Sequence, residues 1–89
     1  MAEVRWHPRT RDVLSRLPES QVRRIAKTVA LLRTFPQIGA PVQYPGMTNL
    51  RRVLAAGWAI VYTYDAGRDL ATVVVLRPPR VGWGGDLVD

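Results

Sequence analysis

The chain contains no cysteine, which excludes a disulfide framework and a thiolate metal site. It also lacks any apolar run near the roughly 18 residues that a membrane span requires, so no membrane association is expected. Its first residues, MAEVRWHPRTRD, contain no apolar segment typical of a signal peptide. With 89 residues, the chain is expected to form a single cytoplasmic domain around one small core, without a metal or other cofactor.

Acidic residues are scarce. Seven Asp and Glu stand against thirteen Lys and Arg, which gives a net charge of +6. Lys27 is the only lysine, and no acidic residue occurs between Glu19 and Asp65. A field of this sign attracts polyanions or an acidic protein, but it equally fits an arginine-rich face exposed only to solvent. Charge alone leaves both interpretations open.

The first half of the chain has the pattern of one strand and two helices. Residues 3–7 alternate between apolar and polar, as in a strand with one buried face. A short helix is predicted over residues 9–17, with Thr10 as its N-cap. Residues 19–35 form the clearest helix, because their apolar residues recur at helical spacing and the basic ones lie mostly off that face.

Residues 36–49 contain three prolines and two glycines and are therefore predicted to be a loop, with Ile38 among the residues that attach it to the body. Three strand-like runs follow at residues 50–55, 58–64 and 70–76. The first strand needs a neighbour, and the near-continuous apolar run of the last one suits a central position beside it.

The expected fold is therefore α+β, in the order β-α-α-β-β-β, with a helical hairpin packed on a mostly antiparallel four-stranded sheet. Residues 1–80 are expected to form the domain. Residues 81–89 contain three glycines and are expected to form a flexible tail.

The order of these parts resembles the RelE/ParE superfamily of toxins from bacterial type II toxin–antitoxin pairs. The resemblance rests on an opening strand that ends in proline (VRWHP), a helix that ends in Leu-Pro (LSRLP), a second helix with a basic face, and the string LRRVLAAGWAIVYTYD, followed by a last apolar strand and a basic cluster. It spans nearly the whole chain. No single piece is specific, but their order is.

The resemblance implies a small toxin that is neutralised by an acidic, partly disordered antitoxin. RelE-like members cleave mRNA on the ribosome without a metal, and ParE-like members inhibit DNA gyrase. The ribosome with mRNA, and DNA gyrase, are therefore the implied targets, and growth inhibition is the implied outcome. A superfamily member that has lost toxicity is a further alternative.

For a nuclease, the resemblance implies Arg52 and Arg80 as matches to basic positions of the family, with Arg77 beside Arg80. Arginine suits stabilisation of a charged phosphate because its donors match the phosphate oxygens. Arg51 and Arg52 point to opposite faces of a strand, so only one of them can share a groove with Arg80. An equal alternative is that these arginines only keep the sheet soluble.

Further candidates for contacting a target or nucleic acid are Arg51 and two tyrosines of the middle strand, Tyr62 and Tyr64, together with the basic residues of the second helix, Arg23, Arg24 and Lys27. Aromatic side chains on an open sheet face can stack bases, but such a stripe is more often part of the core.

The chain also departs from the nuclease pattern. Ala59 stands where RelE-like nucleases have an arginine, and the region of their C-terminal tyrosine or histidine holds Val81 and Trp83 instead. Arginine remains protonated and is a poor general base. These departures favour a toxin that binds its target over one that cleaves RNA.

Overall fold

A computed structural model describes residues 1–78, in which two α-helices and a short 3-10 helix lie on one face of a five-stranded mixed sheet. The strands are β1 (Glu3–Trp6), β2 (Ala40–Tyr44), β3 (Met47–Ala55), β4 (Trp58–Asp65) and β5 (Leu70–Arg77). The helices are α1 (Pro8–Leu14), α2 (Glu19–Ala30) and, directly after α2, the 3-10 helix Leu31–Arg33. No helix in this part of the chain is long and apolar enough to cross a membrane.

The strand order is β1-β5-β4-β3-β2. β1 runs parallel to β5, and the other neighbours are antiparallel. The predicted α+β class, the helical layer on one face and the pairing of the first strand with the last are therefore confirmed.

The predicted number of strands is wrong, because β2 lies within the segment that was expected to be a loop. The prolines of residues 36–49 do not prevent a strand, because β2 lies at the edge of the sheet. Pro41, the proline within β2, is paired with Arg51 of β3. Proline is tolerated on edge strands because only one side of the strand forms ladder hydrogen bonds. β3 also begins earlier than predicted, at Met47, after a turn in which Gly46 has a φ of 78°.

The core lies between the helices and the sheet. Ile25 and Val29 of α2 and Leu32 of the 3-10 helix are at most 3% exposed. They belong to the same buried cluster as residues of β4 and β5, among them Ile60 and Val73. The apolar face predicted for the second helix is thus the face that packs on the sheet.

α1 begins at Pro8, one residue before the predicted range, and its N-cap lies three residues before the predicted one. His7 is its N-cap, and His7 Nδ1 accepts a hydrogen bond of 3.1 Å from the Arg9 amide. The predicted cap, Thr10, instead lies inside the helix, where it is 1% exposed and donates from Oγ1 to the His7 carbonyl oxygen at 2.5 Å. The helix ends at Leu14. The Ser15 amide still donates to the Arg11 carbonyl four positions earlier, but the next two amides donate to carbonyls three positions earlier.

Candidate functional site

The sheet separates the predicted site residues between its two faces. Residues paired across neighbouring strands lie on the same face. Arg51 is paired with Tyr62, which is fully buried beneath the helices. Arg52 is paired with Val61, and Arg77 is paired with Ala59, on the face without helices. The expectation that Arg51 and Arg52 point to opposite faces is confirmed.

Arg52 and Arg77 flank β4 from its two sides; we call them the basic pair. Between them lie Ala59 and Val61, each 2% exposed. From the usual strand spacing of about 4.8 Å and rise of about 3.3 Å per residue, the Cα atoms of the two arginines are roughly 12 Å apart. Both arginines are half-buried. Two guanidinium groups so placed can contact one ligand that carries phosphate or carboxylate groups.

Two exposed apolar side chains accompany the basic pair on the helix-free face. Leu54, paired with Ala59, is 66% exposed, and Val75, paired with Val61, is 37% exposed. The sequence prediction did not include them among the site residues. Strand alternation contained the signal for Leu54, which lies two positions after Arg52 and so shares its face.

The helix-free face carries little that could move a proton. Among residues 1–78, the strand positions on this face include no histidine or lysine. Its carboxylates contact neighbouring arginines, with 2.7 Å between Glu3 Oε2 and Arg5 Nε and 3.8 Å between Asp65 Oδ2 and Arg68 Nε. In the same part of the chain, no three His, Asp or Glu residues are grouped so that they could hold a metal ion.

On the helix-covered face, Arg51 and Tyr62 fix the loop before β2. Arg51 Nη1 donates to the carbonyl oxygens of Gln37 at 3.1 Å and Gly39 at 2.7 Å. The Tyr62 hydroxyl donates to the Pro36 carbonyl at 2.8 Å and accepts from the Gly39 amide at 2.9 Å. We call residues 36–39 the anchored loop. Arg51 therefore has a structural task, although it is only half-buried.

Tyr62 is 0% exposed, so the prediction that it contacts a target is wrong and the core alternative is correct. Burial raises the pKa of its hydroxyl, and the Gly39 amide and the charge of Arg51 oppose that rise. The alternating pattern of β4 could not show whether Tyr62 contacts a target or belongs to the core, because a buried and an exposed tyrosine fit this pattern equally well.

Tyr64 is only partly buried, and its hydroxyl donates to Asp69 Oδ1 at 2.7 Å. This hydrogen bond is the main cause of the raised pKa of Tyr64. Near it, Phe35 is 57% and Ile38 is 55% exposed, so the expectation that Ile38 attaches the loop to the body is wrong. An apolar hollow of about 620 Å³ is lined by Phe35, Pro36, Gln37, Ile38, Tyr64 and Ala66.

The basic residues of α2 divide into two sets. Arg23 forms an ion pair of 2.9 Å with Glu19 one turn earlier. Arg24 and Lys27 are exposed and form no ion pair within residues 1–78. The third predicted catalytic arginine, Arg80, lies outside the described residues, as does the predicted tail of residues 81–89. The predicted residues thus occupy separate places, and only Arg52 and Arg77 are brought together on the helix-free face.

No protein-family model and no curated protein sequence matches the chain. Solved structures do match it. The isolated RelE toxin of Escherichia coli has a TM-score of 0.76 at 15% sequence identity, with 99% of this chain and 96% of that one covered. A RelBE toxin–antitoxin complex from Mycobacterium tuberculosis has a TM-score of 0.76 at 15% identity, covering 86% and 96%. The archaeal RelE–RelB complex from Pyrococcus horikoshii has a TM-score of 0.66 at 18% identity, covering 86% and 93%.

These similarities extend over nearly the whole of each chain, so the protein has the fold of RelE toxins. The resemblance drawn from the order of sequence elements is confirmed at the level of the fold. At these identities the similarity extends to the backbone architecture, whereas function depends on the site residues.

Proposed function

We propose that this protein is the toxin of a bacterial type II toxin–antitoxin pair. It acts in the cytoplasm, inhibits growth by binding a cellular target, and is neutralised by an acidic antitoxin. The observation that carries the proposal is the match to the RelE fold over at least 86% of each chain, including RelE chains crystallised with their RelB antitoxins. A domain of this size with a net charge of +6 has the electrostatic character to attract an acidic partner.

The target-binding surface in this proposal is the helix-free face, centred on the basic pair. Arg52 and Arg77 supply the charge, and Leu54 supplies exposed apolar area beside them. Arginine next to apolar surface is typical of protein interfaces, where charge directs the partner and apolar contact contributes affinity. DNA gyrase, the target of ParE-like toxins, is a protein target of the kind that such a surface fits.

A second candidate function is metal-free cleavage of mRNA on the ribosome. The observation that favours it is the placement of Arg52 and Arg77 on one face, since two guanidinium groups can hold and polarise a phosphate. Arg80 would extend this group. The strand positions of that face within residues 1–78 provide no histidine or lysine as general base, which is why we place the binding function first.

A paired assay separates the two functions. The protein is induced in growing cells, the 5′ ends of mRNA are mapped on translating ribosomes, and DNA supercoiling is measured in the same cultures. For the binding toxin we expect growth arrest with intact mRNA and loss of supercoiling, relieved by the double variant Arg52→Gln/Arg77→Gln. Cuts positioned within codons, lost in the same variant, would establish the nuclease.

Arg9→Gln/Arg11→Gln is the matched control, because it removes two positive charges from exposed positions on α1. Its growth arrest should equal that of the wild-type chain. Growth that continues after induction of the wild-type chain would refute the toxin proposal.

A further inference from the structure

One flank of α2 carries cations that form no ion pair within residues 1–78. Residues three and four positions apart lie one above the other on a helix, so Arg24 and Lys27 share a flank with Leu31 in the next turn. Arg23 lies four positions before Lys27, but its charge is paired with Glu19 one turn earlier. Leu31 is 47% exposed, whereas the adjacent Leu32 is 0% exposed in the core. The flank therefore changes along its length from basic to apolar.

The apolar end of this flank continues into the loop. Phe35 is 57% and Ile38 is 55% exposed, and both line the apolar hollow beside Tyr64. We call the five residues Arg24, Lys27, Leu31, Phe35 and Ile38 the α2 strip. At about 1.5 Å per residue, Arg24 and Phe35 are roughly 16 Å apart along the axis, which corresponds to about three helical turns of a partner.

The apolar end of the strip is held in place by the core. Four hydrogen bonds between the anchored loop and the side chains of Arg51 and Tyr62 hold this loop, which includes Ile38 and directly follows Phe35. Because the backbone of this loop is already fixed, a partner that covers these side chains pays little backbone conformational entropy. Contiguous exposed apolar surface of this kind marks interaction sites rather than ordinary solvent-facing surface.

We propose that the α2 strip is a docking site for an acidic amphipathic helix of the antitoxin, an inference that rests on the proposed function. The apolar face of that helix would cover Leu31, Phe35 and Ile38, and its carboxylates would face Arg24 and Lys27. Charge complementarity selects an acidic occupant. A peptide fits better than RNA, because the strip has only two cations and a single aromatic side chain, Phe35, on which a base could stack.

The test uses the full chain and a synthetic amphipathic helix of roughly 18 residues, about five turns. The peptide has leucine on one face and glutamate beside it, and a second peptide has lysine in place of every glutamate. Binding is measured by fluorescence anisotropy. We expect the glutamate peptide to bind roughly tenfold more tightly than the lysine peptide, since two exposed charge pairs each contribute up to about 1 kcal/mol.

Two double variants assign the binding to the strip. Phe35→Ala/Ile38→Ala should weaken the glutamate peptide roughly tenfold or more, through lost apolar burial. Arg24→Gln/Lys27→Gln should weaken it roughly three- to tenfold. Arg9→Gln/Arg11→Gln removes the same charge from exposed positions on α1, outside the strip, and should leave the affinity unchanged. Circular dichroism verifies that each variant is folded.

The inference is overturned if the glutamate peptide does not bind at millimolar concentration, or if both strip variants bind it as the wild-type chain does. Single-stranded RNA that displaces the peptide with the same dependence on the strip would also overturn it. Growth arrest is scored separately: Phe35→Ala/Ile38→Ala should still arrest growth, because it leaves the basic pair intact. A wild-type chain that binds the peptide without arresting growth would refute the toxin function and retain the docking strip.

Discussion

At the scale of single residues, Gly39 occupies a position that has no room for a side chain. A Cβ atom there would lie 2.8 Å from both Cε1 and Oη of Tyr62 and 2.9 Å from the Arg52 carbonyl oxygen. Two of these atoms belong to a buried ring and one to the backbone, so none can move aside cheaply. The Gly39 amide and carbonyl are also both hydrogen-bonded, which fixes the glycine from two sides.

Gly39→Ala is therefore expected to lower the free energy of unfolding by roughly 1–3 kcal/mol, the usual cost of overpacking. Urea unfolding measures this change. Gly67→Ala is the matched control, because a Cβ there would meet only Asp65 Oδ1, at 3.4 Å. Equal stabilities of the two variants would show that the space around Gly39 is not tight.

The Tyr62 hydroxyl gives a second expectation at this scale, for stability at neutral pH. Tyr62→Phe removes two hydrogen bonds and leaves the Pro36 carbonyl and the Gly39 amide without this partner. We expect a loss of roughly 1–3 kcal/mol in the free energy of unfolding at neutral pH.

The stability lost in Tyr62→Phe is expected to depend on pH, because the Tyr62 hydroxyl can ionise. Because the pKa of Tyr62 is raised in the folded protein, its stabilising contribution is complete below about pH 10, the ordinary tyrosine value, and is lost as pH rises through the folded pKa. The stability difference between the wild-type chain and Tyr62→Phe should therefore narrow above about pH 10. Denaturant titrations at several pH values on both sides of about pH 10 measure this difference. A difference in unfolding free energy that does not change with pH would contradict the raised pKa of Tyr62.

At the scale of elements, the 3-10 helix places two adjacent leucines in opposite environments. Leu32 is 0% exposed in the core, and Leu31 is 47% exposed on the α2 strip. Leu32→Ala should lower the free energy of unfolding by roughly 2–5 kcal/mol, and Leu31→Ala should change it by less than about 1 kcal/mol. Thermal and urea unfolding of the two variants provide the comparison. A similar cost at both positions would mean that Leu31 is not a surface residue.

Some helices and strands could be predicted from the sequence pattern, and others could not. Apolar spacing was sufficient for α2, β1, β4 and β5, because each of them buries one face or runs through the middle of the sheet. β2 was missed because Pro41 within it, and Pro36 and Pro45 on either side, are typical of loops. Proline is tolerated in a strand at an edge position, which only the completed sheet defines. The cap of α1 was missed because histidine is an uncommon cap, although it directly precedes a proline suited to the first turn.

At the scale of the whole molecule, the candidate site was predicted only in part. Strand alternation was enough to predict that Arg51 and Arg52 lie on opposite faces of the sheet. Which residues of β4 and β5 lie beside each arginine depends on the register between the strands. The pairings Arg52–Val61 and Ala59–Arg77 are what bring Arg77 to the same face. Register between strands is fixed by many contacts together, and a shift of one residue would move Arg77 to the other face. The exposure of Phe35 and Ile38 had no sequence signal, because an apolar residue in a loop is equally compatible with burial.

The parallel pairing of β1 with β5 gives an expectation for the molecule as a whole. A chain that ends at Ala66 would lack β5, which lies between β1 and β4 in the sheet. Such a fragment should show no cooperative unfolding transition in urea, because both strands lose their shared neighbour and the core loses Ala71, Val73 and Leu76. A cooperative transition in the fragment would contradict this account of the sheet.

The same pairing has a consequence for the order of events on the ribosome. β1 is synthesised first and its only neighbour in the described sheet, β5, is synthesised more than sixty residues later. Contacts so distant in sequence form late, since the loop between them must close first. β1, with the apolar side chains of Val4 and Trp6, therefore has no sheet partner until the residues up to β5 have been synthesised. The helix-free face, which includes Arg77 of β5, can therefore form only after β5 has been synthesised.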